Sequence, residues 1–248
     1  MDASVQLLPL KGLPEVKEGA DLVELIGSSL IAWARPGDVL VVTHKIVSKA
    51  EGRVVRLSEV EPSLRATQWA ERWDKDARQI EVVLRESESI VRMERGIIIS
   101  RTRHGLVCAN AGVDRSNSPD ETVCLLPLDP DASARQLYHG LQARLGFPVP
   151  VLISDSFGRP WRNGIVNVTI GLTGLEPFAD YRGQDDPHGY RMEASIMATA
   201  DALCAASELV MGKIDQVPAA VIRGATIVLS PEATSRPLIR SLEEDMFR

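Results

Sequence analysis

Residues 153–164 read ISDSFGRPWRNG and follow directly on the apolar run FPVPVL at 147–152. The run predicts a buried strand over 148–154, bounded by a proline-containing approach and a polar exit. The exit holds an acid, serines, two arginines, glycines, a proline and two aromatics within twelve residues. It therefore reads as a strand that ends in a loop dense with charge and hydrogen-bonding groups.

Outward from this stretch, strand-like and helical segments alternate without a repeat period. Residues 5–10 and 38–43 (DVLVVT) read as strands, as do 96–100 (GIIIS), 106–109 (LVCA), 165–170 (IVNVTI) and 219–222. Apolar residues at helical spacing predict helices over 21–34, 63–86 and 131–145. The alanine-rich segment 191–212 predicts another, and 236–246 a last one. Residues 174–189 form a long polar loop containing Gly and Pro, of a kind that in compact domains carries function or moves. No Ser/Gly-rich linker divides the chain, so the expectation is one mixed α/β (α+β) domain over 1–248, with room for two closely packed subdomains.

Composition bounds the function. The chain has 248 residues, 44% of them hydrophobic, enough for a sizeable core. A formal net charge of −6 argues against a broad nucleic-acid or lipid-binding face, though not against a local basic pocket. The three cysteines, Cys108, Cys124 and Cys204, form no C-x-x-C pair, which disfavours a disulfide framework or a zinc site. The opening MDASVQLLPL lacks a basic n-region followed by an apolar h-region, and no apolar run approaches the ~20 residues of a membrane span. A soluble protein of the reducing cytoplasm is expected.

Two segments share a chemistry. In ANAGVDRSN, Asp114 is followed by Asn117; in the opening stretch, Asp155 is followed by Ser156. Carboxylate and hydroxyl oxygens are hard ligands suited to Mg²⁺ or Mn²⁺, and two such turns brought together could hold one or two ions against a phosphate chain. The alternative is that both aspartates only cap turns. Arg159 and Arg162 suit bidentate binding of carboxylate or phosphate, or a surface Arg–Asp network. Lys49 stands shortly beyond a strand end, where it is either a point charge for phosphate or simply solvated. Glu193 falls at the start of the predicted helix 191–212, a position that favours acids electrostatically in any case. Phosphate-loop, dinucleotide-fold and nucleophile-elbow signatures are all missing. A nucleotide site here would have to be an unusual one.

GLPEV, VVTHKIVSKAEGR, CANAGVDRSN, ISDSFGRPWRNG, GLEPFADYRGQDD and ELVMGK occur in the order seen in the coenzyme F420 γ-glutamyl ligases, and the chain resembles that family from about residue 12 to 224. The third, fourth and fifth motifs together are the specific part. Some members carry a fused C-terminal nitroreductase-like domain; this sequence is similar to the stand-alone form. The resemblance implies a ligase-type α/β fold that forms an intertwined homodimer. It also implies a GTP-dependent amide ligase, joining L-glutamate to the lactyl carboxylate of the deazaflavin precursor F420-0 through an acyl phosphate.

Carried over by motif, Asp114, Asp155 and Ser156 resemble metal ligands for Mg²⁺ or Mn²⁺, with K⁺ a further candidate ion. Leu13, Pro14, Glu15, Val16, His44, Lys49 and Asn117 match nucleotide-contacting positions, as does the segment 211–218 beginning Met211, Gly212 and Lys213. Asp155, Arg159 and Arg162 are the candidate catalytic residues. Three positions depart from the pattern. Lys213 stands where Glu or Gln is common as a metal ligand, and an ammonium cannot coordinate a cation. His44 replaces a frequent serine, and YRMEAS replaces an LEVT-like stretch around Glu193. A metal-dependent phosphohydrolase and a non-catalytic GTP-binding homologue are the competing readings.

Overall fold

A computed structural model describes residues 4–116 and 121–246. In chain order, the first part comprises β1 (Gln6–Pro9), α1 (Leu22–Leu30), β2 (Val39–Thr43), α2 (His44–Ala50) and β3 (Val54–Arg56). There follow α3 (Leu64–Trp73), α4 (Ala77–Glu86), β4 (Ser87–Glu94), β5 (Ile97–Thr102), β6 (Val107–Ala109) and β7 (Thr122–Cys124). The remainder is α5 (Pro130–Leu145), β8 (Val151–Arg159), β9 (Arg162–Leu175), β10 (Ala179–Asp180), β11 (Ile196–Met197), α6 (Thr199–Met211), β12 (Ala219–Arg223) and β13 (Leu229–Ser230). The class is mixed α/β, as the sequence predicts.

Strands of continuous apolar character need cover on both faces, and β2 shows how it is supplied. Leu40 and Val42 point to one side with Val151, Ile153 and Val221, against Ile26 and Leu30 of α1 and Leu137 and Leu141 of α5. Val39 and Val41 point to the other with Leu152, Leu172 and Ile222, against Ala200, Leu203 and Cys204 of α6. The six-stranded sheet between these layers has the order β1-β12-β2-β8-β9-β13, and only β2 and β8 run parallel. Cys204 is a small buried core residue within α6. A second cluster, built on Leu57, Ile80, Val83, Ile98 and Val123, joins α3 and α4 to the smaller sheets β4-β5-β6 and β3-β7.

Local chemistry sets the helix ends. Asp21, Ser63, Asp76 and Asp129 each accept a backbone N–H at the start of a helix, and Gly146 closes α5 with φ 82°. The single helix expected over 63–86 is in fact two. Asp74 adopts the left-handed region (φ 51°) and ends α3, and Asp76 caps α4 two residues later.

The helix expected over 191–212 begins only at Thr199. The preceding residues pair backward into a ribbon, with Asp180 opposite Ile196 and Asp185 bridged to Arg191. Glu193 is therefore an exposed loop residue and not a helix start. Residues 236–246 contain one 3-10 turn, Arg236–Leu238, instead of a helix. Most of that segment is exposed, and a short helix with no face to bury is not stable alone.

The predicted strand 148–154 also runs on, through Arg159, because β9 offers it an antiparallel partner as far as Arg162. Beyond its short pairing with β13, the outer edge of β9 is satisfied by carboxylates. The N–H groups of Asn167, Thr169 and Leu172 donate to Glu208, Asp201 and Asp131. Such cover blunts an open strand edge. Gly171 sits there without a side chain because a Cβ would collide with the carbonyl of Pro130 at the start of α5. No helix among the described residues is long and apolar enough to cross a membrane.

Candidate nucleotide and metal site

The parallel pair β2 and β8 places Thr43 opposite Ser154, so β2 ends there while β8 runs on beside the space that follows. Crevices beyond such ends are where α/β sheets bind ligands. On β2 the chain turns at once into α2, with Thr43 extended and His44 the first helical residue. On β8 the pairing with β9 shifts register between Ile153 and Ser154. A bulge of this kind re-aims the side chains that follow it. Asp155 is thus a strand residue, opposite Val168, and not part of a turn as the sequence predicts.

Two consecutive residues of α2 reach the two aspartates. His44, 1% exposed, sets Nε2 3.2 Å from Asp155 Oδ1 and Nδ1 3.3 Å from Ser48 Oγ. The first of these is close enough for an ion pair but too poorly aligned for a hydrogen bond. Lys45 Nζ lies 2.7 Å from Asp114 Oδ2. Asp114, which follows a 3-10 turn and is bridged to Cys124, and Asp155 on β8 therefore converge on one end of α2, although 41 positions separate them. Burial opposes ionisation of Asp114. The Lys45 ammonium and the N–H and hydroxyl of Ser116 outweigh it and hold the carboxyl below its ordinary value.

Around Asp155 the polar groups interlock. Oδ1 accepts the Ser156 N–H at 2.7 Å, and Ser156 Oγ donates to Asn167 Oδ1 at 2.7 Å across the β8–β9 pair. Lys213 Nζ approaches Ser156 Oγ at 3.4 Å. Behind them Cys108 is a neutral packing group: burial, and then the Asp155 carboxylate, push its thiol up to about 12.

Asp155, Ser156, Asn167 and Lys213 line a cavity of about 340 Å³, whose wall Asp114 reaches only through Lys45. Leu13, Pro14, Glu15, Val16, His44, Lys49, Asp155, Ser156, Met211, Gly212 and Lys213 all contribute to its wall. So do Gln216, within the predicted segment 211–218, and residues that the sequence did not single out, among them Lys45 and Asn167. Lys45, Lys49 and Lys213 outnumber Glu15 and Asp155, and Lys49 is held 3.6 Å from Glu15. The result is a basic pocket in an acidic protein. Arg159 and Arg162 stand elsewhere, paired across the tip of the β8–β9 hairpin, where Arg159 Nη2 donates to the Asn163 carbonyl at 2.6 Å. Asn117 lies outside the described residues.

The donor set fits a hard divalent ion of the kind that is completed by a substrate. Among the described residues no group of three or more His, Cys, Asp or Glu side chains could hold a metal by itself. Mg²⁺ typically needs only one or two carboxylates when phosphates complete its shell. The oxygens at Asp114 already converge on a cation, the Lys45 ammonium. Asp155, Ser156 and Asn167 offer a second group of oxygens on the cavity wall.

Comparison with known proteins agrees in extent with this architecture. Residues 12–224 match the family model described as F420-0:Gamma-glutamyl ligase. Proteins named coenzyme F420:L-glutamate ligase are similar over almost the whole chain. The one from Methanopyrus kandleri is 47% identical and covers 94% of each chain. Those from Methanothermobacter thermautotrophicus (43%, covering 98% of this chain and 99% of its own) and Archaeoglobus fulgidus (40%, covering 98% and 96%) follow. With a family model spanning well over half its length and relatives of this identity, the chain belongs to the F420-0:gamma-glutamyl ligase family.

Proposed function

We propose that this chain is a GTP-dependent amide ligase. It joins L-glutamate to the lactyl carboxylate of F420-0 and extends the same tail through γ-linkages. One observation carries the reading: a basic cavity beyond the end of β2 and alongside β8 gathers His44, Lys45, Lys49, Asp155, Ser156 and Lys213. The names of the relatives supply the substrates, L-glutamate and coenzyme F420.

In this reading the triphosphate lies along the lysines, which neutralise its charge, while Leu13 to Val16 and the 211–218 segment hold the rest of the nucleotide. Asp114, Asp155 and Ser156 would hold Mg²⁺ or Mn²⁺, which supplies charge neutralisation at the phosphates when bound. A carboxylate oxygen of the precursor attacks the γ-phosphorus and GDP leaves. The glutamate amine then attacks the acyl carbon, loses a proton, and inorganic phosphate departs. Such chemistry depends on positioning and charge more than on a covalent protein group. Lys213 contributes a positive charge beside Ser156 rather than a metal ligand.

The working unit in this proposal is a homodimer. Support comes from the exposed apolar side chains of the hairpin tip, Trp161 (82% exposed) and Ile165, and of the 181–197 ribbon, Tyr190 and Met197. Arg159 and Arg162 on that tip would then meet anionic substrate groups across the interface.

Purified protein is expected to release GDP and phosphate, with a glutamylated product, only when GTP, a divalent ion, the precursor and glutamate are all present. Equal phosphate release without glutamate would mark a phosphohydrolase instead. GTP binding with no turnover under the complete mixture would mark a non-catalytic homologue.

A further inference from the structure

The end of α2 is built around a cation that belongs to the protein. Lys45 Nζ lies 2.7 Å from Asp114 Oδ2, 2.6 Å from Ser116 Oγ and 3.2 Å from the Ser116 carbonyl, so three oxygens close around it. The same side chain is only 14% exposed and forms part of the cavity wall. Lys45 therefore stands between the Asp114 carboxylate and the space assigned to the triphosphate. An ammonium on a flexible four-carbon stem is a point charge that can change acceptors without breaking a fixed fork geometry.

Asp114 Oδ2 cannot be shared at full strength between an ammonium and a divalent ion, because the two cations repel each other at that distance. We propose that Lys45 is a resident counter-ion, which occupies the cation position at Asp114 in the ligand-free protein and moves to a nucleotide phosphate when a divalent ion takes its place. This rests on the metal and triphosphate reading of the proposed function. It makes metal and nucleotide binding cooperative through one side chain: metal without nucleotide must displace an ammonium that has no phosphate to receive it, whereas the two together satisfy both charges. Coupling between two ligands through a group that contacts each differently in the two states is the physical content of such cooperativity.

The test uses Mn²⁺ alone as the probe, its free concentration followed by electron paramagnetic resonance, with GTP binding as the second readout. Lys45→Met and Lys45→Gln are expected to bind Mn²⁺ about tenfold more tightly than the unmodified protein without nucleotide, and to bind GTP with Mn²⁺ about tenfold more weakly. Opposite shifts of the two affinities are not what a merely structural lysine would give. Lys49→Met, which removes a charge held by Glu15 instead, controls for general loss of positive charge and should change Mn²⁺ affinity less than about twofold. Unchanged or weaker Mn²⁺ binding in both Lys45 variants overturns the exchange, as does an equal gain in Lys49→Met. If the unmodified protein binds Mn²⁺ with GTP normally while the Lys45 variants show no gain with Mn²⁺ alone, the exchange fails and the ligase reading stands. If no protein takes up Mn²⁺ with or without GTP, both fail.

Discussion

Alanine at Asp155 is expected to abolish metal-dependent GTP binding and to lower glutamylated product formation by at least about a hundredfold. The carboxylate lines the cavity, accepts the Ser156 N–H and faces His44, so its position is fixed from two sides. A held oxygen of this kind contributes more than a solvated one, because its orientation costs nothing at the moment of binding. Asp155→Asn separates charge from shape: it keeps the size of the side chain and should fail nearly as badly. A thermal midpoint close to that of the unmodified protein would show that the loss belongs to the site and not to the fold. Unchanged GTP affinity at saturating metal would remove Asp155 from its assigned role.

The largest expected effect on stability lies at the other end of β2, at Asp38, just ahead of the strand. Asp38 is 1% exposed, and its carboxylate receives Arg223 Nε and Nη2 at 2.8 Å each, together with the Arg35 N–H. Arg223 also donates to the Trp33 carbonyl at 3.0 Å and lies over the Trp33 ring at 5.6 Å. Removing one partner of such a pair leaves an uncompensated buried charge. Arg223→Ala is expected to cost about 3–5 kcal/mol of unfolding free energy, toward the lower end because the guanidinium keeps some contact with water. Chemical denaturation should show the drop with little change in slope. Arg223→Lys should recover only part, since an ammonium cannot make the two parallel bonds. A loss below about 1 kcal/mol for Arg223→Ala would mean that the pair behaves as an exposed one.

The layers of the fold were legible because their cause is local. Val39 to Val42 and Val151 to Ile153 are unbroken apolar runs, and runs of that length are strands that something must cover on both faces. What escaped depends on partners distant in the chain. Asp155 to Arg159 look like loop residues by composition, and become strand only because residues 162–168 pair with them. Residues 191–198 carry helix-forming alanine yet are drawn into a ribbon by residues 179–186. The short helix α2 was missed because HKIVSKA is too brief to show a period.

Much the same divides the site. Asp114 and Asp155 stand out in sequence as acids beside apolar runs, but nothing local says that they meet. Both are brought to the first turn of α2, Asp155 through the parallel pairing of β2 with β8 and its contact with His44, and Asp114 through its contact with Lys45. Asn167 could have been noticed as the one amide inside IVNVTI, a polar interruption on a buried strand. Lys45 could have been noticed as a charge directly at a strand end. Conversely, Arg159 and Arg162 drew attention by their density of charge, and the structure sets them at a hairpin tip away from the cavity wall.

The proposed acyl-phosphate course requires that a nucleotide's γ-phosphoryl group pass to a substrate carboxylate in this cavity before the amide forms. Precursor labelled with ¹⁸O in both oxygens of its lactyl carboxylate, incubated with GTP, divalent ion and glutamate, tests it directly. Mass spectrometry of the released phosphate should find one ¹⁸O atom for the first amide formed on each precursor, with the other retained in the product, and none in phosphate released by later γ-linkages. Phosphate carrying no label alongside glutamylated product would contradict an acyl phosphate and, with it, the role assigned to the whole site.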